Sequence, residues 1–584
     1  MEIQDRKTDK RKVEGELMTG RRRIAIGMED YKEIIEKNCY YVDKTLFIRD
    51  LLDKGGKVNL FTRPRRFGKT LMLSMLRTFF ELDLDYAGKK TDHCHYFKGM
   101  KIMKEGGAYT GQMGKYPVIN LSLKSAKQPD FAMAYHVLKE EITGEFSRHR
   151  YILRDEESLT EADREKYKRI MDRKAEDVDF VTSLKFLSDC LSAYHREKVI
   201  ILLDEYDVPL ENAYFSGFYD RMAEFIRSLF ESALKTNNSL EFAVVTGCLR
   251  ISRESIFTGL NNLKTDSILH TEFGEYFGFV QSEVEEMLSE FQISEKKEEI
   301  KEWYDGYLFG KSPVYNPWSV LNYVETAVSD RNAFPRPYWS NTSSNNIIRE
   351  LVETADPDMK RELECLTAGG VIEKPIHEDL TYGDIRQSQD NLWNFLFFTG
   401  YLKVVKERLE TDTIYLTMKI PNVEIRYIYR NTIQDYFRDI LKKADFTEFF
   451  QDLKQGKEKS VESFISSQLA ASISYYDNAE NFYHGYMAGI LSRMEGYEMH
   501  SNKEYGDGRP DLVLLPFHPK MPVIIIELKW AGKFSQMEGL CDTALEQIEN
   551  RAYDRELLEE GYQKIIKYGI CFCKKNCMVK KQKS

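Results

Sequence analysis

The sequence predicts an α/β protein with a parallel sheet in its first half, a mostly helical middle region and a second, smaller α/β domain at the C-terminus. Two observations carry this prediction. In the first half, continuous apolar, β-branched runs alternate with helical patterns, which is typical of a parallel sheet covered by helices on both faces. Near the C-terminus, two apolar runs flank a proline-bounded loop, which is typical of a hairpin.

The elements of the first half follow from hydrophobic pattern and length. Strands are predicted at residues 57–62, 116–123, 198–204 and 241–246. Helices are predicted at residues 71–82, 131–146 and 180–194. The segment 154–179 is almost entirely charged, so we expect an exposed insertion there.

At 584 residues the chain is too long for one hydrophobic core, so several domains are expected. Charged tails are expected to flank them at both ends. The predicted segments are an N-terminal tail (1–23), the first α/β domain (24–271), a helical lid or linker (272–464), the second α/β domain (465–577) and a basic tail (578–584).

Composition narrows the functional classes. A net charge of −10 argues against a protein that coats nucleic acid through bulk charge, although a local basic patch would still permit contact. Residues 1–23 lack the apolar core of a signal peptide, and no run of ~18 apolar residues indicates a membrane span. The nine cysteines form no disulfide framework, and Cys571, Cys573 and Cys577 are interpreted as strand residues plus an exposed thiol rather than as zinc ligands. We therefore expect a cytoplasmic protein with no membrane partner.

A phosphate-binding loop is predicted between the first strand and the first helix of the sheet. The segment RPRRFGKT at 63–70 matches GxxxxGK[ST], except that Arg63 stands in place of the first glycine. Gly68 permits close backbone approach to phosphate, Lys69 reaches the β- and γ-phosphates, and Thr70 supplies a hydroxyl to Mg²⁺. The alternative interpretation is a basic turn before a helix.

A second element favours nucleotide chemistry. The apolar run at 199–203 leads into Asp204 and Glu205, so a buried strand delivers two carboxylates to the sheet edge where ligands bind. We expect Asp204 to hold Mg²⁺ and Glu205 to polarise the attacking water. The next strand ends at Thr246, a candidate γ-phosphate sensor, and either Arg250 or Arg253 is a candidate arginine finger, with a plain surface role equally open. The predicted nucleotide-contacting residues are Arg65, Arg66, Gly68, Lys69, Thr70, Asp204 and Thr246.

Two carboxylates and a lysine are predicted to cluster in the C-terminal domain. If the hairpin pairs symmetrically about Pro519, Asp511 opposes Glu527, and Lys529 lies on the same face. Two such carboxylates can hold a divalent cation, either Mg²⁺ or Mn²⁺. The lysine can then orient or help deprotonate the water that attacks a phosphodiester. The predicted catalytic residues of the chain are therefore Glu205, Asp511, Glu527 and Lys529.

Motifs across the chain carry a family resemblance. They are YVDKT at 41–45, TRPRRFGKT at 62–70, LDEYD at 203–207, RISRESIF at 250–257, YNPWS at 315–319, SNKE at 501–504, and RPD followed by ELK at 509–511 and 527–529. With these, the chain resembles bacterial and archaeal AAA-ATPase-like proteins that carry a C-terminal PD-(D/E)XK nuclease-superfamily domain. Gln547 and Tyr553 resemble the glutamine–tyrosine element of some members, and Glu480 occupies the position where a first helix can add a metal carboxylate. The resemblance implies a P-loop NTPase sheet, a helical linker and a restriction-endonuclease-like α/β domain.

Three hypotheses follow. The leading one is an ATP-regulated nuclease, in which ATP binding gates phosphodiester cleavage by the last domain. The alternative is a signalling or scaffolding NTPase whose C-terminal domain binds nucleic acid or protein without cutting. A helicase or translocase is less favoured, since no helicase motif is evident. The expected partners are ATP and nucleic acid, either DNA or RNA, and an arginine acting across a subunit boundary would imply a homo-oligomer.

Overall fold

The computed structural model divides into two compact units. The first comprises Met1–Ser344 and Val371–Ile428, and the second Asn345–Gly370 and Tyr429–Ser584. The residues described are 22–84, 90–249, 256–257, 261–339, 346–354, 356–378, 382, 388–443, 445–471, 480–501, 503–505, 508–518, 520–574 and 576–582. Within them, no helix combines the length and the apolar character needed to cross a bilayer.

The first unit is built on a parallel sheet. A short parallel pair, β1 (Arg23–Ile24) and β2 (Cys39–Tyr40), precedes it. The strands of the main sheet are β3 (Val58–Thr62), β4 (Val118–Ser122), β5 (Val199–Asp204), β6 (Leu240–Gly247) and β7 (Leu263–Asp266). Their order is β4-β5-β6-β3-β7, with every neighbouring pair parallel. One strand, β6, therefore lies between the strand that leads into the phosphate loop and the strand that ends at Asp204.

Helices cover this sheet. They are α1 (Tyr31–Glu36), α2 (Leu46–Lys54), α3 (Lys69–Phe80), α4 (Gly107–Thr110), α5 (Phe131–Arg148), α6 (Glu161–Met171), α7 (Asp177–Val181), α8 (Ser183–His195), α9 (Val208–Ser216) and α10 (Tyr219–Phe230). The four strands predicted from sequence are confirmed to within two residues at each end, and β7 was not predicted. The continuous apolar runs made these strands recognisable because both sheet faces are covered.

Residues 154–179 are mostly exposed, as expected, but they also form a helix with a buried face. Helix α6 forms there, and Tyr167 and Ile170 are fully buried. The Tyr167 hydroxyl donates a 2.7 Å hydrogen bond to the Phe146 carbonyl of α5. Two apolar residues three positions apart lie on the same face of a helix, so that face can pack against the protein even where the neighbouring residues are charged.

The middle of the chain is largely helical, as predicted, and also contains short strands. The helices are α11 (Gln281–Glu290), α12 (Lys297–Tyr304), α13 (Pro317–Ser329), α14 (Asn346–Thr354), α15 (Pro357–Thr367), α16 (Gln389–Phe398) and α17 (Val423–Lys443). The strands are the antiparallel pair β8 (Tyr307–Phe309) and β9 (Ser312–Val314), and the antiparallel sheet of β10 (Ile372–Pro375), β11 (Lys403–Glu410) and β12 (Thr413–Lys419). Helices α14 and α15 belong to the second unit, and α17 begins in the first unit and continues in the second.

The second unit contains a mixed five-stranded sheet. Its strands, adjacent in chain order, are β13 (Tyr497–Ser501), β14 (Leu512–Pro516), β15 (Val523–Trp530), β16 (Ile565–Cys573) and β17 (Asn576–Lys581). Only the pair β15–β16 is parallel. The further helices of the unit are α18 (Thr447–Gln455), α19 (Glu458–Ala471), α20 (Glu480–Leu491), α21 (Met537–Asn550) and α22 (Arg555–Glu559).

The predicted hairpin of β14 and β15 is confirmed, including its register. Leu512 pairs with Ile526 and Leu514 pairs with Ile524, as symmetry about residue 519 requires. Both faces are apolar and covered, so these are interior strands of the sheet. Because a slip of one residue would turn every buried side chain to the wrong face, the register at the end of the hairpin is firmly set.

Candidate nucleotide-binding and nuclease sites

The phosphate loop connects β3 to α3, and its backbone φ angles show at which position of the motif the loop conformation favours glycine. Gly68 has φ +82° and Arg66 has φ +68°, both in the left-handed region. Arg63 has no positive φ, so the position that carries glycine in GxxxxGK[ST] tolerates a side chain here. Helix α3 begins at Lys69, which directs the positive end of its dipole at the loop.

The Arg63 side chain is fully buried (0% exposed) and forms part of the core. Its guanidinium forms an ion pair with Asp266 and donates to the Thr62 and Asp266 carbonyls at 2.9 and 2.8 Å. It also lies over the Phe277 ring, 4.9 Å from the centroid. Arg63 therefore connects the start of the loop to the end of β7. Its positive charge is paired with Asp266 in the core.

Lys69 is buried, and its amine lies within the loop. The Nζ atom donates 2.9 Å hydrogen bonds to the carbonyls of Arg63 and Pro64 and lies 3.7 Å from the Cys248 sulfur. These contacts hold a cation in the concavity of the loop, where backbone N–H groups and a helix N-terminus also favour anions.

Asp204 joins two of the predicted phosphate-site hydroxyls. The Thr70 hydroxyl donates to Asp204 Oδ2 at 2.7 Å, and the Thr246 hydroxyl donates to Asp204 Oδ1 at 2.6 Å. The sheet order makes this possible, because β6 carries Thr246 beside β5 and β3 delivers the loop next to β6. The structure thus brings together the loop hydroxyl, the strand carboxylate and the candidate sensor.

Glu205 and Asp207 have different surroundings. Glu205 is half-buried with φ +50°, and burial raises the pKa of its carboxyl while Lys69 lowers it. Asp207 is buried, and its Oδ2 accepts hydrogen bonds from the backbone N–H groups of Cys248 and Leu249 at 2.7 and 3.1 Å. Asp207 therefore holds the loop that follows β6.

A cavity of ≈ 300 Å³ opens over the phosphate loop. Lys69, Thr70 and Glu205 contribute to its wall. Apolar residues from distant segments complete the wall: Met28, Ile34, Val42, Phe279 and Leu321. Sequence reasoning missed these residues because no local motif joins segments 28–42 and 279–321. A cavity with one cationic loop and apolar walls suits a nucleotide, which has a charged end and an aromatic base.

The two loop arginines have partners of different kinds. Arg65 forms an ion pair with Glu211, and its carbonyl accepts a 3.3 Å hydrogen bond from the Trp339 indole. Arg66 lies 4.3 Å above the Trp318 ring. Both arginines line the cavity, which is where nucleotide-contacting residues were expected.

In the second unit, Asp511 lies directly before β14 and next to the end of β15. Its Oδ2 accepts a 2.8 Å hydrogen bond from the Leu528 backbone N–H. Its carbonyl lies 3.1 Å from the His484 ring, which contacts the Ser501 hydroxyl at 3.2 Å. Asp511 therefore lies at the end of β15 that carries Glu527 and Lys529.

Glu527, Lys529 and Gln547 form one hydrogen-bonded network. Lys529 Nζ donates to Glu527 Oε1 at 3.0 Å and to Gln547 Oε1 at 2.8 Å. The Gln547 amide donates to Glu527 Oε1 and lies 3.4 Å from the Tyr553 hydroxyl. Glu527 is 2% exposed, and burial together with Asp511 raises its pKa to about 7, while Lys529 lowers it.

The donor set fits a hard divalent cation. Glu527 Oε2 is buried and has no hydrogen-bond partner within the described part of the chain. Such an orphaned oxygen is costly unless something binds it. The described residues contain no group of three or more His, Cys, Asp and Glu arranged for a metal ion, so the protein ligands here would be two carboxylates. Mg²⁺ commonly binds through one or two carboxylates and keeps several waters.

Some predicted residues lie elsewhere or outside the described residues. Arg250 and Arg253 lie outside them, and Glu480 is the first residue of α20, with its side chain outside them. Cys571, Cys573 and Cys577 lie in β16 and β17, as interpreted from sequence, but all three are buried, so the expectation of an exposed thiol among them is wrong.

Comparison with known proteins finds family matches to the two segments that contain these residues. A family model described as "Predicted AAA-ATPase" matches residues 25–257, and one described as "PD-(D/E)XK nuclease superfamily" matches residues 478–582. The chain contains a predicted AAA-ATPase-like domain and, at its C-terminus, a PD-(D/E)XK nuclease-superfamily domain. An uncharacterised protein from the vnfD 5′ region of Azotobacter chroococcum mcd 1 is 24% identical to it over 563 residues, which is 91% of this chain and 93% of that protein. The AAA-ATPase-like domain contains the phosphate loop with Asp204 and Thr246, and the nuclease-superfamily domain contains Asp511, Glu527 and Lys529.

Proposed function

We propose that the protein binds and hydrolyses ATP in its AAA-ATPase-like domain, and that ATP gates metal-dependent phosphodiester cleavage by its nuclease-superfamily domain. The observation that carries the first part is the bridge from Asp204 to the hydroxyls of Thr70 and Thr246, beside a cavity that contains Lys69. The observation that carries the second is the orphaned buried oxygen of Glu527 next to Lys529.

In the ATPase site each residue has one task. Lys69 binds the β- and γ-phosphates, exchanging its bonds to loop carbonyls for phosphate oxygens. Thr70 and Asp204 would hold Mg²⁺, which neutralises charge on phosphate oxygens when bound. Glu205 orients the attacking water and accepts its proton, and its raised pKa suits that task. Thr246 senses the γ-phosphate from the neighbouring strand.

Arg65 and Arg66 add positive charge to the same cavity wall. The apolar residues of the wall are suited to the base. Side chains such as Ile34, Val42 and Phe279 can pack against the faces of an aromatic base.

In the nuclease site Asp511 and Glu527 would hold Mg²⁺ or Mn²⁺, which polarises the phosphodiester and lowers the pKa of bound water. Lys529 orients the attacking water and helps to deprotonate it. Gln547 positions Lys529 through the 2.8 Å bond to its amine. The substrate class is nucleic acid, as DNA or RNA. Nine free thiols fit a reducing compartment, so the cytoplasm is part of the proposal, as is a homo-oligomer.

The deciding experiment incubates purified protein with labelled single- and double-stranded DNA and RNA, with Mg²⁺ or Mn²⁺, with and without ATP. We expect cleavage that requires a divalent ion and changes with ATP. Glu527→Gln is the matched control because it keeps shape and removes the charge. Absence of cleavage under every condition, with ATP hydrolysis intact, would favour the non-cutting signalling or scaffolding NTPase.

A further inference from the structure

Two tryptophans contact the phosphate loop, and both come from the chain beyond the segment that matches the ATPase family. The Trp339 indole N–H donates to the Arg65 carbonyl at 3.3 Å. The Trp318 ring lies under the Arg66 guanidinium at 4.3 Å. The loop is therefore held from outside by residues of the middle region, through one backbone atom and one side chain.

A single carboxylate joins the two tryptophan-bearing segments. Glu424 Oε1 accepts a 2.8 Å hydrogen bond from the Trp339 backbone N–H. The Ser319 hydroxyl, next to Trp318 in α13, lies 3.0 and 2.8 Å from the two Glu424 oxygens. Glu424 is 0% exposed, and its carboxylate accepts these hydrogen bonds from the neutral donors of Trp339 and Ser319. A buried carboxylate held by neutral donors is costly to move, because every donor must be satisfied again.

Glu424 is the second residue of α17, where the helix dipole favours a negative group. This helix starts in the first unit, and its residues from Tyr429 onward belong to the second. The chain of contacts therefore runs from the Arg65 carbonyl through Trp339 to the start of the helix that leaves the ATPase-bearing unit.

We propose that Trp339 and Glu424 are positioning residues that couple the conformation of the phosphate loop to the N-terminal turn of α17. The inference rests on the proposed ATP binding and specifies its regulation. Phosphate at the loop competes with the Lys69 bonds to the Arg63 and Pro64 carbonyls. The Arg63 and Pro64 carbonyls therefore lose their bonds to Lys69 when nucleotide binds, directly beside the Arg65 carbonyl to which Trp339 donates. A ligand shifts a helix only if its affinity differs between two arrangements of the protein. Here the two arrangements differ in the hydrogen bonds that link the phosphate loop through Trp339 to Glu424.

The test is hydrogen exchange of the full chain with and without the non-hydrolysable ATP analogue AMP-PNP and Mg²⁺. In wild type we expect slower exchange at residues 63–70 and a change of about two- to tenfold at amides 425–428, the range that one hydrogen bond produces. In Trp339→Phe, which keeps an aromatic ring and deletes the N–H, protection at 63–70 should persist and the change at 425–428 should vanish. Trp393→Phe is the matched control, since Trp393 is equally buried in α16, and it should behave as wild type.

Glu424 gives an independent variant pair. Glu424→Ala should also abolish the change at 425–428, and Glu424→Gln should retain it, because its amide oxygen can accept from Trp339 and its amide can donate to Ser319. If the change persists in both Trp339→Phe and Glu424→Ala, or is absent in wild type that is protected at 63–70, the coupling is overturned while ATP binding stands. If AMP-PNP protects nothing at 63–70 in wild type, the proposed ATP binding fails, and the coupling fails with it.

Discussion

Thr70 and Asp204 are 134 residues apart in sequence, and their side chains share a 2.7 Å hydrogen bond. The first lies in the first turn of α3, and the second ends β5, two strands away from the strand that feeds the loop. This pairing is what a shared Mg²⁺ requires, because the hydroxyl and the carboxylate can both turn to one ion. The predictions for nucleotide chemistry start from this contact.

Lys69→Ala should abolish ATP binding, because no other buried amine lies between the loop carbonyls of Arg63 and Pro64 in the described part of the chain. Titration calorimetry with ATP and Mg²⁺ measures this directly. Glu205→Gln is the companion variant. It should bind ATP as wild type does and release no phosphate. Unchanged ATP affinity in Lys69→Ala would remove the assignment of this loop.

Arg63→Gly should destabilise the first unit although it restores the usual glycine of the motif. The change leaves Asp266 buried without its partner, which typically costs about 3–5 kcal/mol. Arg66→Gly is the matched control, since φ is already +68° there and glycine relieves strain. Denaturant unfolding should show a lower first midpoint for Arg63→Gly only. Equal midpoints for the two variants would contradict a structural role for Arg63.

The sequence was informative where one element alone determines the structure. The β14–β15 register could be predicted from the two apolar runs on either side of Pro519. Strand β5 could be predicted because it is completely buried, so its sequence is continuously apolar. It was uninformative where distant segments meet. The buried role of Arg63 depends on Asp266, and the cavity wall joins Ile34 to Phe279, so no local pattern could show either. In 154–179, the high average charge concealed three buried residues, Leu159, Tyr167 and Ile170.

Stability should depend on pH through Glu424. Burial raises its pKa from 4.5 to about 7, with the donors from Trp339 and Ser319 opposing the rise. Between these values the folded state binds more protons than the unfolded state, so the unfolding free energy falls as pH rises and stays lower above 7, by up to about 3 kcal/mol. The nearby Tyr304 and Tyr307 hydroxyls remain neutral throughout, because burial raises their pKa further.

Glu424→Gln carries no such charge and should lose less stability than wild type between pH 5 and pH 8. Denaturant unfolding of both proteins at the two pH values measures the difference. Identical pH dependence in the two proteins would show that Glu424 does not titrate in this window.

The divalent site should be detectable without cleavage. Mn²⁺ that binds only the folded state stabilises it by about 2.7 kcal/mol at a hundredfold excess over Kd. The melting temperature of the transition that belongs to the second unit should therefore rise with Mn²⁺ in wild type. It should stay fixed in Glu527→Gln, where the orphaned carboxylate oxygen is replaced. A rise of equal size in both proteins would mean that the ion binds elsewhere.

The last prediction concerns coupling between the two activities. A carboxylate-bound ion suffices for phosphodiester hydrolysis, so nothing in Asp511, Glu527 and Lys529 itself requires ATP. Asp511→Ala and Glu527→Ala should therefore eliminate cleavage and leave ATP hydrolysis nearly intact. Lys69→Ala, which leaves the nuclease residues untouched, should change cleavage, because ATP can no longer favour one arrangement of the chain over another. Cleavage by Lys69→Ala that equals wild type at every ATP concentration would show that the two domains act independently.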